Sequence, residues 1–200
     1  MIFMPMQTGM LVKQETATNG KLHLFSLYVD FSASICARRV AGAVSRLAGA
    51  NWKTSSEMWK LDSLSISEPI KNMIARDAAN ADVIVVAMSS LERPPVEVVQ
   101  WLDSLAAWKP GHSAPGLLIG LLGDKETKTA ELDWTVKPLI NCAQRAGRSF
   151  IWHWMGEFTV DDSCWLAEDV EDLLAAKLSA NRGVILDAVP QAHVAANLGD

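Results

Sequence analysis

Two hydroxyl-rich turns and two isolated carboxylates are the residues best placed by type and spacing to bind something. The first turn is Asp30-Phe31-Ser32-Ala33-Ser34, the second is Ser89-Ser90, and a second carboxylate stands at Asp124. Each turn follows an apolar run and precedes a helical pattern. Ser32, Ser34, Ser89 and Ser90 could therefore join free backbone N–H groups in holding an anion. Asp30 works against that chemistry, because a carboxylate beside a phosphate repels it. The plain alternative is that Ser32 or Ser34 caps a helix.

Covalent and metal chemistry find less support. The histidines His23, His112, His153 and His193 show no metal-ligand spacing. His153, between Trp152 and Trp154, could act as a cleft acid or base, but a packed histidine is the simpler reading. Cys36 near a helix start could carry a lowered pKa, yet it sits in an apolar pattern that suits packing. Asp77 flanks a buried helical stripe, where a surface or cap contact accounts for it. Neither Gly-x-Gly-x-x-Gly nor Gly-x-x-x-x-Gly-Lys-Ser/Thr occurs, nor does Gly-x-Ser-x-Gly. No catalytic residue and no metal site is expected.

The elements that would carry these turns read as follows. Residues 82–88, Asp-Val-Ile-Val-Val-Ala-Met, form a short apolar run with helical patterns on both sides, as a central parallel strand requires. Further strands are expected at 22–31, 57–61, 116–123 and 149–155. After the first strand a helix presents Ile35, Val40, Val44 and Leu47 on one side and ends at Gly49. Ser67 precedes a helix with Pro69 in its first turn and Ile70, Met73 and Ile74 inward. Pro94-Pro95 opens a helix striped by Val98, Trp101, Leu102, Leu105 and Trp108. Pro138 places the next helix start near Thr135, or else kinks it. Asp161-Asp162-Ser163 caps a last helix with Leu166, Val170, Leu173, Leu174 and Leu178 inward.

Strands alternating with helices give an α/β fold, a three-layer doubly wound sheet of five mainly parallel strands in the order 2-1-3-4-5. Ligands of such sheets sit beyond the carboxyl ends of the strands, where the order reverses. That point falls between Asp30 and Met88, with Asp124 bordering the same cleft. Residues 22–181 form the single domain. Residues 1–21 are a leader or an N-terminal hairpin strand, Asn19-Gly20 being a good turn, and 182–200 are a C-terminal tail.

In outline the chain resembles receiver-like and flavodoxin-like α/β domains over roughly residues 22–178. Asp82-Val83-Ile84-Val85-Val86 matches the third strand of response-regulator receivers, but Ala87 stands where their phospho-acceptor aspartate would be. Asp30 replaces an acidic pair, and the lysine expected at the end of the fifth strand is missing from His153-Trp154-Met155. The receiver resemblance thus implies a domain that is not phosphorylated. Ser32-Ala33-Ser34 is similar to the hydroxyl-rich loop that cradles a flavin phosphate in flavodoxins, without its glycine. That resemblance implies FMN or nucleotide as a cofactor, with Trp52, Trp59 or Trp101 available to stack on a flavin ring.

Composition narrows the partners. With 18 Lys and Arg against 23 Asp and Glu the net charge is −5, and Arg38, Arg39, Arg46 and Lys53 read as a solvated face, so nucleic acid is not expected. Three scattered cysteines suit a reducing, cytoplasmic setting. Lys13 is the first basic residue and Pro5 interrupts the apolar start, unlike a secretory signal. No 18-residue apolar run spans a membrane. Eight tryptophans against one tyrosine suit core packing first and an aromatic contact surface second. The functional expectation is a non-catalytic regulatory or protein-interaction domain with no cofactor, its partner another protein or a second copy in a homodimer. Flavin or nucleotide binding by the two serine turns is the alternative.

Overall fold

The computed structural model describes residues 20–89, 96–107, 116–123, 129–157 and 164–187. Five strands form one parallel sheet in the order β2-β1-β3-β4-β5. They are β1 (Gly20–Tyr28), β2 (Trp52–Lys60), β3 (Val83–Met88), β4 (Gly116–Leu122) and β5 (Arg148–Trp154). Helices α1 (Phe31–Ala48), α2 (Glu68–Ala79), α3 (Val96–Ala107), α4 (Thr129–Ala146) and α5 (Cys164–Asp187) connect and cover them, with a 3₁₀ turn at Leu61–Ser65.

β3 and β4 are buried along their whole length, which is why their sequences are apolar at every position rather than at alternate ones. Successive residues feed two separate cores. Ile84, Val86 and Met88 join Phe25, Leu27, Ile74, Trp101, Leu105 and Leu139 beneath α2, α3 and α4. Val83, Val85 and Ala87 join Leu22, Leu24, Val40, Val44, Leu166 and Val170 beneath α1 and α5. The ring of Trp101 is fully buried against Phe25, centroids 5.9 Å apart, so this tryptophan is core.

Several boundaries differ from expectation for identifiable reasons. The first strand stops at Tyr28, and Phe31 is already helical and 80% exposed. β2 begins at Trp52 rather than near Glu57: it is an edge strand, and its polar residues hide the period. Met73 is 38% exposed, the buried face of α2 being Ile74, Ala75, Ala78 and Ala79. Ile35 is likewise exposed, while Ala33, Cys36, Ala37, Val40 and Ala41 face the sheet. α4 starts at Thr129, leaving Pro138 inside the helix, where it withholds the N–H that the carbonyl of residue 134 would accept. β5 begins and ends one residue earlier than expected. α5 continues through residues 181–183 to Asp187. Gly49 ends α1 at φ 75° with its N–H on the Arg46 carbonyl, a left-handed stop that favours glycine. The expectations for residues 1–19, for Trp108 and for the 161–163 cap lie outside the described residues.

Candidate functional site

The strand order puts the ends of β1 and β3 side by side, and their continuations stay hydrogen-bonded: the Val29 N–H donates to the Ala87 carbonyl at 3.1 Å. Two of the predicted residues meet there. Asp30, in extended backbone (φ −144°, ψ −175°), is the N-cap of α1 and accepts the Ala33 N–H at 2.9 Å through Oδ1. Its other oxygen, Oδ2, accepts the hydroxyl of Ser89 from the end of β3. The Ala33 hydrogen bond, then the Ser89 hydroxyl, hold the Asp30 carboxyl below the usual carboxylate range against a smaller opposing effect of burial. The Ser32 N–H and the charge of Lys60 pull the same way.

Ser32 and Ser34 do not cap α1, contrary to expectation. Ser32 is exposed, and the Ser34 hydroxyl donates back to the Phe31 carbonyl at 2.7 Å within the helix. Asp30 outcompetes them because it lies one residue before the first helical position, where a side chain reaches the N–H groups of the first turn. Ser90 and Asp124 lie outside the described residues. Ala87, at the position of a receiver's acceptor, is fully buried in the core beneath α1 and α5.

At the N-terminus of α1 the Ala33 N–H is thus already taken by a carboxylate of its own chain. A phosphate brought to the same N–H group would have to displace Asp30 and then meet its charge. Of the tryptophans considered for ring stacking, Trp101 is enclosed and Trp52 is buried beside α1, while Trp59 is only half-buried. Cys36 is not an activated thiol: burial pushes its pKa up, and its Sγ lies 3.8 Å from the Met155 carbonyl. His153 stacks on Trp165 at 4.7 Å and donates from Nδ1 to the Trp154 carbonyl at 3.0 Å. That is a packed rim histidine.

A polar network lies at the opposite end of the sheet. Asp82, just before β3, accepts the backbone N–H of His23 at 2.8 Å with Oδ2 and the ammonium of Lys177 with Oδ1. Both side chains of that ion pair are only 16% exposed. The Arg148 guanidinium donates to the Ala81 carbonyl at 2.8 Å, and the hydroxyl of Ser55 hydrogen-bonds His23 Nδ1 at 2.8 Å. A cavity of about 490 Å³ opens here between α2 and the amino ends of β1 and β2, with Glu57, Asp77 and Asn80 on its walls. Single charges scattered between positions 23 and 177 give no sequence signal. The polar residue just before an apolar strand was the one usable clue. Among the described residues no group of three His, Cys, Asp or Glu could hold a metal, and no helix is long and apolar enough to cross a membrane.

No family model and no curated protein matches this chain. Solved structures do resemble it. An oxidoreductase from Corynebacterium diphtheriae is 13% identical, covers 80% of this chain and 96% of its own, and superimposes with a TM-score of 0.53. A short-chain flavodoxin associated with a bacterial microcompartment is 16% identical over 84% of this chain and 99% of its own, at a TM-score of 0.43. A cysteine-to-alanine variant of flavodoxin from Pseudomonas aeruginosa is 18% identical over 81% and 100%, at 0.37. Strand order and the first of these likenesses define a flavodoxin-like α/β fold. At such identities they define the fold alone.

Proposed function

We propose that this chain is a regulatory or protein-interaction domain that uses a flavodoxin-like scaffold without a bound phosphate and without phosphoryl transfer. The observation that carries this reading is the Asp30 carboxylate, held on the Ala33 N–H and by the Ser89 hydroxyl where a ligand phosphate would have to sit. The buried Ala87 supports it from the receiver side, since a methyl group cannot accept a phosphoryl group.

The competing reading is FMN or nucleotide binding at the loops after β1 and β3. The test is an absorbance spectrum of freshly purified protein across the visible range, followed by thermal shifts with FMN, FAD and adenine and guanine nucleotides. A ligand that binds only the folded state adds about 2.7 kcal/mol at ~100-fold excess over Kd. In a domain of this size that raises the melting temperature by several degrees. The expected result is a colourless protein with no shift. A yellow protein, or a clear shift with FMN, would replace this function by flavin binding. Asp30→Ser sharpens the comparison: with the carboxylate gone, inorganic phosphate should stabilise the variant and leave the parent unchanged.

A further inference from the structure

The outer surface of α1 carries positive charge that has no ion-pair partner among the described residues. Phe31, Ile35, Arg38, Arg39, Gly42 and Arg46 line an open groove of about 430 Å³ along the helix. Phe31 is 80% exposed and Ile35 37%. Their spacing, 4, 3, 1, 3 and 4, is that of one helical face turned away from the sheet. Among the described residues none of these arginines makes an ion pair.

The neighbouring helix carries the complement. α5 packs beside α1 on the same face of the sheet. Over residues 164–180 its exposed positions are Cys164, Glu168, Glu171, Asp172, Ala175 and Ser179, spaced 4, 3, 1, 3 and 4 as on α1. Glu168, Glu171 and Asp172 have no cation partner among the described residues. Beside them the pKa of Asp169 is raised first by burial and then by the charges of Glu168 and Asp172. A basic strip and an acidic strip of equal period thus lie next to each other on one surface.

Such a surface is complementary to itself. We propose that it is the interface of a two-fold homodimer in which α1 of each copy lies on α5 of the other. A two-fold axis running along the helices, between α1 and α5, brings the two strips together twice, in a closed contact. Arg38 and Arg39 then oppose Glu171 and Asp172 of the second copy. Gly42 opposite Ala175 lets the backbones approach, and Phe31 and Ile35 leave water. This inference deepens the interaction-domain reading and rests on it, by naming the partner as a second copy of this chain.

The test is sedimentation velocity on three proteins: the wild type, Arg38→Glu/Arg39→Glu, and Glu171→Arg/Asp172→Arg. The wild type should dimerise, more weakly as salt rises. Each double reversal places like charges face to face at both contacts and should weaken the dimer on the order of a hundredfold. An equimolar mixture of the two variants should recover it, because both contacts become attractive again in the heterodimer. That recovery also shows that both variants are folded. A monomeric wild type, a dimer indifferent to the reversals, or variants that stay monomeric when mixed would each overturn the interface. An FMN-bound dimer would sink the proposed function and keep the interface; a colourless, FMN-indifferent monomer would do the reverse.

Discussion

The hydroxyl of Ser89, at the end of β3, donates to the carboxylate of Asp30, the N-cap of α1, and so ties together the two strand ends between which the order of the sheet reverses. The same carboxylate takes the Ala33 N–H of the first helical turn. One side chain therefore links the two strand ends and caps the helix.

Removing it should be costly in proportion to a helix cap. Asp30→Ala is expected to destabilise the fold by about 1 kcal/mol, with Ser89→Ala costing less, as read from urea midpoints at unchanged slope. The pH dependence has a definite sign. The folded pKa of Asp30 lies below the ordinary value of 3.8, so its contribution is fully present above that value and is lost as pH falls through the folded one. The difference in stability between the parent and Asp30→Asn should hold from neutral pH down to about 5 and shrink below about 4. A difference that grew in acid would refute the cap.

Much of this architecture is written in the chain, and the gaps have physical causes. The order 2-1-3-4-5 is legible because β3 and β4 are apolar at every position and helices separate all the strands. The first half of β2 is not, because Lys53, Thr54, Ser55 and Ser56 lie on an edge strand whose faces are mostly open. Asp30 and Ser89 are recognisable as neighbours of a switch point, yet their bond joins residues 59 apart, and only the fold shows that the carboxylate caps α1. Ser32 and Ser34 mislead for a related reason: any hydroxyl near a helix start resembles a cap, and the one-residue lead of Asp30 decides the matter. The pairing of Asp82 with Lys177 spans 95 positions, beyond the reach of any local pattern.

That pair sets the second prediction. Asp82 satisfies the His23 N–H and the Lys177 ammonium at once, in a place where both side chains are largely out of water. Asp82→Ala would leave a nearly buried cation and a backbone N–H unpaired, and should cost about 3 kcal/mol. Lys177→Met keeps the hydrocarbon stem and should cost distinctly less. Thermal unfolding of both variants would check the order, and a costlier Lys177→Met would reverse the assignment of Asp82 as the hub.

Gly116 makes a third case, at the start of β4. A Cβ there would come within 2.2 Å of the Arg148 guanidinium and 3.2 Å of the Asp82 carbonyl. Arg148 cannot step aside freely, because it donates to the Ala81 carbonyl at 2.8 Å near the end of α2. Gly116→Ala should therefore destabilise by about 1–3 kcal/mol. The same change in an Arg148→Met background should cost less, since the obstructing head group is gone. Additive costs in that double-mutant cycle would show that the two residues do not interact.

The three cysteines should differ sharply in reactivity. Cys36 and Cys142 are buried and Cys164 is exposed. Burial raises the pKa of both enclosed thiols, Cys142 to about 11, so near neutral pH neither presents appreciable thiolate, the form that attacks a disulfide reagent. In dilute native protein an aromatic disulfide reagent should release one equivalent of chromophore quickly and the other two only on denaturation. Cys164→Ser should abolish the fast phase, whereas Cys36→Ser should leave it untouched. A fast phase that survived Cys164→Ser would mean that one of the cores opens far more readily than its packing implies.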